Sequence, residues 1–539
     1  MSNAEIPPVH DVVIIGAGPC GLAVAARLCE HTPSAIFTDE EHNRYHWIAK
    51  HASRATIKNN RTGHTTKPCE RPKRYSTLVL DSSGEEWMAR WNHLFKTFQI
   101  EHLRSPMFFH PDPGDRDGLL AYTHEMSREA ELTEIRGCVG KEVSKHKAKK
   151  RREGMVKGRK ADLEIDERDR KDYYTPSSSL FGDYCRCIVN RYGIREGLIK
   201  NESVQDIDYS LFRELSQSED LFRIRTDKGI HHARAVVLAV GAGGPPVLPP
   251  SMTNYSAQSA SHAMHITIFP PPSVAAKVTA RKATNIVVVG GGLTSAQISD
   301  MAVRHGVSRV WHLMRGPLKV KPFDVDLEWM GKFRNHSKAA FWSADTDQER
   351  LEQIRKARGG GSITPKFHKI LKGHVAKGRV SLHMLTTIVE QSWDEATETW
   401  SLRTAPPVLE MPKIDYVYYA TGMATDFQTL PFLKTMNEQY PVHGHGGLPC
   451  LNDDLMWRDG VPLFVTGRLA SLRLGPGAGN LEGARMGAER IAWAIEEVLG
   501  ARKDEGEQSD GEGDQEDQGY RYGAGIGSRY ESLSEVDDA

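Results

Sequence analysis

The sequence predicts an α/β protein of parallel sheets, built from two units of one kind. Three observations predict it. Short β-branched runs alternate with helical stretches: "DVVIIGAG" (11–18), "SAIFTDE" (34–40), "RAVVLAVGAG" (234–243), "NIVVVGGG" (285–292), "SRVWHLMR" (308–315) and "DYVYYATG" (415–422). Their apolar residues are continuous rather than alternating, as in strands covered by helices on both faces. Most end at glycine, and the order strand, glycine turn, helix occurs at 11 and again at 285.

In the first unit Gly16, Gly18 and Gly21 fit G-x-G-x-x-G between "DVVII" and the helical run "LAVAARLCEH". Gly16 permits a tight turn, Gly18 lets a pyrophosphate approach the backbone, and Gly21 lets the helix pack against the strand. The helix start then offers free N–H groups and a positive dipole end to phosphate. "AIFTD" reads as the next strand and ends at Asp39, 23 residues after Gly16. An acid there accepts a ribose and repels a 2′-phosphate, which selects FAD or NAD over NADP.

The second unit repeats the device with Gly290, Gly292 and Ser295, a serine standing for the third glycine. Its following strand ends at Arg315, where no acid stands. Arginine pairs bidentately with a 2′-phosphate, so this loop reads as an NADPH site, with His312 and Lys319 as weaker candidates for the same phosphate. A nicotinamide must pass its hydride to a second bound cofactor, and FAD is the usual receiver.

Composition narrows the class. Lys+Arg and Asp+Glu are equal at 70 each, which argues against a role on nucleic acid or a membrane surface. No apolar run approaches the roughly 18 residues that span a bilayer, and "MSNAEIPPVHD" has no secretion-signal pattern. A cytoplasmic protein is expected. The seven cysteines (20, 29, 69, 138, 185, 187, 450) are too scattered for a disulfide framework or a zinc site, and "CRC" at Cys185 and Cys187 reads as two helical thiols without a joint task. The basic stretch 141–160 reads as a solvated insertion, part of a charged segment over 141–172, with a nuclear-import or nucleic-acid patch as its alternative. The acidic segment 503–519 reads as part of a disordered tail over 500–539.

On these motifs the chain resembles the two-dinucleotide flavoprotein monooxygenases (class B-like). "RAVVLAVGAGGPPVLP" (234–249), with Gly241, looks like the strand and turn that leave the first half of their FAD domain. "DYVYYATGMATDF" (415–427), with Gly422, resembles their return from the NADPH domain. "PLFVTGRLASLRLGPGAGNLEGARMGAERIA" (462–492), with Gly467, looks like the closing FAD segment. "LRSPMFFHPDP" (103–113) and "KPFDVDLEWMG" (321–331) resemble a branch near the lysine and ornithine N-hydroxylases and the oxidative-stress-induced growth inhibitor proteins. The resemblance implies two Rossmann-like dinucleotide-binding domains, the NADPH domain inserted in the FAD domain. The expected limits are 1–255 and 405–499 for the FAD domain and 278–404 for the NADPH domain. Met423 and Arg468 depart from the family's usual aromatic and aspartate. The Baeyer–Villiger fingerprint is absent: only His265 and Phe269 keep its closing spacing, with Ser259 and Ser261 at its Phe and Gly positions.

Electrons from such a flavin go to a protein disulfide or to oxygen. A disulfide reductase needs two cysteines beside the flavin, and none lies between Cys187 and Cys450. Oxygen remains, and the resemblance implies a flavin C4a-hydroperoxide that passes one oxygen atom to a small molecule such as an amine. Such a site works by positioning and water exclusion, so no acid–base triad is expected. Asn480, after a glycine run, is the candidate active-site residue, with a helix N-cap as its competing role. The partners implied are O2 and a small-molecule substrate. An NADPH oxidase and a regulatory flavoprotein are the alternative readings. "ARGGGSITPKFHKIL" (357–371), with Thr364 and Pro365 at a helix start, reads as a connecting loop, and as a lid in the alternative.

Overall fold

The structure is a computed structural model that describes residues 8–30, 35, 57–58, 65–66, 75–136, 138–139, 167–195, 197–249, 256, 258–330 and 334–499. The basic stretch 141–160, the acidic segment 503–519, Cys69 and most of "SAIFTDE" with Asp39 lie outside them.

The chain opens with β1 (Val9–Ile15), whose Val12, Val13 and Ile14 are wholly buried. Each such side chain contributes about 1.5–3 kcal/mol by leaving water. Helix α1 (Pro19–Cys29) follows with proline in its first turn, where the missing N–H costs nothing. Next come β2 (Thr77–Asp81), α2 (Ser178–Arg191), β3 (Ile199–Asn201), β4 (Val204–Ser210), β5 (Leu221–Thr226) and β6 (Ile230–Leu238). Cys185 and Cys187 both lie in α2, as expected, and Ser177 caps it by accepting from the Leu180 N–H at 3.0 Å.

The second unit begins at β7 (Ala260–His262) and continues through β8 (Asn285–Val289), α3 (Leu293–Arg304) and β9 (Arg309–Met314). It goes on with α4 (Asp347–Arg358), α5 (Pro365–Ala376), β10 (Val380–Met384), the hairpin pair β11 (Thr387–Asp394) and β12 (Thr399–Ala405), and β13 (Tyr416–Tyr419). The chain then returns to the first unit with β14 (Met456–Arg458), β15 (Val461–Val465) and α6 (Leu481–Leu499).

The first sheet runs β14-β15-β6-β1-β2-β3, with β5 paired to β6 and β4 to β5. The pairs β15–β6, β6–β1, β1–β2 and β2–β3 are all parallel. The second sheet, β7-β13-β8-β9-β10, is parallel throughout. One α/β unit is therefore inserted in another. The inserted sheet also takes in 260–262 and 416–419, because β13 pairs with β8 and β7 with β13. The crossing is double. The segments after β6 and after β13 run side by side, with Val247 N–H donating to Gly422 O at 2.9 Å and Ala424 N–H to Pro245 O at 2.8 Å. Helix α6 packs over α1, and Arg27 forks onto Glu489 at 2.6 and 2.9 Å.

Candidate active site

The three glycines of the first loop differ in what surrounds them. Gly16 has φ +111°, and a Cβ there would lie 2.5 Å from Ala239 O. A Cβ on Gly21 would lie 1.9 Å from Gly16 O, so any side chain would push α1 off its strand. Gly18 faces open space, with nothing within 4 Å of its Cβ position. Its helix carries no side-chain cap, which leaves the first N–H groups for a ligand.

An acid stands beside this loop. The strand next to β1 is β2, in the register Val12↔Thr77 to Ile15↔Leu80. It ends at Asp81, whose Oδ2 accepts from Ala17 N–H at 2.6 Å and Oδ1 from Ser83 N–H at 2.6 Å. Asp39 lies outside the described residues. Adjacency to β1 is decided by backbone pairing, and a long segment separates α1 from the strand that pairs. "TLVLD" carried a usable signal, a β-branched run ending in an acid.

The second loop repeats the geometry. Gly290 has φ +153°, and its Cβ position lies 2.5 Å from Ala420 O. Ser295, wholly buried, stands where a third glycine would, and its hydroxyl donates to Gly292 O at 2.7 Å. Arg315 follows β9, is exposed, and makes no bond to any described residue, so its guanidinium is available. His312 and Lys319 do not share that availability. His312 is wholly buried, with Nε2 2.8 Å from Gly290 O and Nδ1 3.1 Å from Ser299 Oγ. Lys319 Nζ donates to Gly359 O at the end of α4.

The loop at 359–361 packs on this second loop. A Cβ on Gly361 would come 3.0 Å from Gly292 N. Thr364 caps α5 by accepting from Phe367 N–H at 3.3 Å, as expected. From this loop a chain of contacts reaches the first unit. Arg358 donates to Asp324 Oδ2 at 2.9 Å and to Pro476 O at 2.8 Å, and Asn480 Nδ2 donates to Asp324 Oδ1 at 3.1 Å. Arg104 donates to the carbonyls of Lys321 (3.0 Å), Pro322 (3.1 Å) and Phe323 (2.6 Å) and to Ser362 Oγ (2.9 Å). Asn480 is thus no simple helix cap, because its amide is held by Asp324 across the seam between the units.

Gly241 (φ +68°) and Gly422 (φ +87°) lie in the double crossing, with open space at their Cβ positions. Gly467 (φ +72°) ends β15 against Cys20, whose Sγ would be 3.2 Å from its Cβ. Cys20 is half-buried, and desolvation pushes its thiol up to about 12. Arg468 follows Gly467 and is exposed. Among the described residues no helix is long and apolar enough to cross a membrane, and no cluster of three or more His, Cys, Asp or Glu side chains suits a metal ion.

Residues 170–423 match the family model described as L-lysine 6-monooxygenase/L-ornithine 5-monooxygenase. No curated protein sequence matches the chain. Among solved structures, ornithine hydroxylase PvdA from Pseudomonas aeruginosa superposes with a TM-score of 0.58 at 16% identity, covering 91% of this chain and 100% of that one. The chain has the fold of the two-dinucleotide flavoprotein monooxygenases. The ornithine N-hydroxylase KtzI from Kutzneria sp. 744, solved with reduced FAD, NADP+ and L-ornithine, gives 0.58 at 14% identity and covers 91% and 100%. The cadaverine monooxygenase DfoA from Erwinia amylovora, solved with FAD, gives 0.57 at 14% and covers 93% and 100%. The family model is one of monooxygenases, and these two solved relatives hold FAD, one of them with NADP+ as well.

Proposed function

We propose that the protein is an FAD-dependent monooxygenase that uses NADPH and O2 to transfer one oxygen atom to the nitrogen of a small amine. The observation that carries this is the unbroken run of contacts from the second glycine loop, through Gly361, Arg358 and Asp324, to Asn480 on the closing segment of the first unit. A second glycine loop tied in this way to the closing segment of the first unit suits hydride transfer between ligands of the two units. FAD, when bound, supplies the chemistry that takes the hydride and activates O2.

The chain's own residues do the holding. Gly16, Gly18 and Gly21 admit the first dinucleotide, and Asp81 accepts its ribose. Gly290 and Gly292 admit the second, and Arg315 takes its 2′-phosphate. Gly241, Gly422 and Gly467 shape the turns around them. Asn480 and Asp324 stand on the seam, where a substrate amine would lie between flavin and nicotinamide. The family match and the fold of the amine hydroxylases support an amine as the oxygen acceptor.

The test is NADPH oxidation by the FAD-loaded protein against a panel of amines that includes L-ornithine, L-lysine and cadaverine. Amine-stimulated NADPH use with a hydroxylamine product and little peroxide is expected. Quantitative conversion of NADPH to peroxide with every amine would make the protein an oxidase instead. Loss of a cellular effect on deletion of the basic stretch 141–160, with turnover intact, would favour a regulatory flavoprotein.

A further inference from the structure

His312 sits in the middle of β9, and none of it reaches solvent. A carbonyl oxygen only accepts, so the 2.8 Å contact with Gly290 O requires the proton on Nε2. Nδ1 is then an acceptor, and the Ser299 hydroxyl of α3, 3.1 Å away, donates to it. The two partners define one neutral tautomer. Burial holds the ring's pKa down at about 4, so it stays neutral across the physiological range.

The held carbonyl has a consequence one peptide along. The unit joining Gly290 to Gly291 is planar and trans, so its C=O and N–H point in opposite directions. Gly290 N–H is fixed as well, donating to Leu313 O at 2.9 Å. With the Gly290 carbonyl drawn inward to His312, the Gly291 N–H is turned outward. On that residue a Cβ would meet nothing within 4 Å, so no side chain or backbone crowds the Gly291 Cα on that side. We propose that Ser299 and His312 form a positioning pair that aims the Gly291 N–H at the pyrophosphate of the second dinucleotide. The pair acts on the part common to NADPH and NADH, whereas Arg315 acts on the 2′-phosphate. This rests on the reading of the second loop as the NADPH site.

Binding to the FAD-loaded protein, followed by calorimetry, separates the two roles. NADP+ carries both the pyrophosphate and the 2′-phosphate, whereas 2′-AMP carries only the latter. His312→Leu should weaken NADP+ about tenfold, because a buried carbonyl and hydroxyl lose their partner, and should leave 2′-AMP within about twofold. KM for NADPH and for NADH should rise by the same factor, a pattern that Arg315→Glu would not produce. Ser299→Ala is the gentler variant and should weaken NADP+ a few-fold, while His312→Gln, which keeps a donor, should recover part of the loss. Equal losses for NADP+ and 2′-AMP in both milder variants, or no loss in any variant, would overturn the positioning role. A wild-type protein that binds neither ligand would overturn the cofactor reading itself.

Discussion

Arg315 stands exposed at the end of β9 with no bond to a described residue, so its substitution changes the ligand site without breaking an internal contact. Arg315→Glu should raise KM for NADPH about tenfold or more, the worth of a charge-assisted bidentate contact, and leave KM for NADH nearly unchanged. Steady-state kinetics with the two nucleotides measures this, and equal effects on both would remove the 2′-phosphate reading. Asp81 differs in kind, because its carboxylate also holds Ala17 N–H of the first loop at 2.6 Å. Asp81→Asn should yield protein with much reduced FAD content by absorbance, while Asp39→Asn should retain it. The opposite pattern would return the ribose contact to Asp39. Both acids end a plausible strand in the sequence, and Asp81 ends the one that pairs with β1.

At the scale of elements, α1 and α6 are locked by the Arg27–Glu489 fork, whose side chains are only 12% and 9% exposed. Trp493 Nε1 donates to the same carboxylate at 2.7 Å. Glu489→Ala leaves a buried guanidinium unpaired and should lower stability by about 3–5 kcal/mol in urea titration. A change below 1 kcal/mol would show the pair to be dispensable. The strands and helices of both units were legible from β-branched runs, glycine spacing and caps, because these act over a few residues. The pairing of β7 and β13 with the inserted sheet was not legible. Each is short, three and four residues, and its neighbours lie far away in the chain.

At the scale of the molecule, the two units meet where Arg104 spends its guanidinium on three carbonyls and Ser362 Oγ. Arg104→Met keeps the bulk and removes those bonds. FAD content should hold, while NADPH-driven reduction of the flavin in stopped-flow should slow about tenfold through lost alignment. Unaltered reduction would sever Arg104 from the coupling. Acid acts on the whole fold through buried neutral histidines. Burial holds His110 down at about 3 and His312 at about 4, from an ordinary 6.5. As pH falls below 6.5 the unfolded chain binds protons that the folded chain refuses. Each group should therefore remove about 1.4 kcal/mol of stability per pH unit on the way down to its folded value, and none above neutrality. Thermal melts between pH 7.5 and 4.5 should show the decline, and a flat Tm would contradict it.

The sequence by itself determined the class of the protein: two glycine loops, an arginine after the second strand, and cysteines too scattered to serve as a redox pair. Those are local facts, because a turn that must bring backbone near phosphate tolerates only glycine at certain positions. The tertiary structure decided which residues share a site. It put Asp81 at the end of the strand beside β1, buried His312 behind the second loop, and set Asn480 against Asp324. Each of these depends on contacts between residues distant in the chain, and no local spacing encodes them.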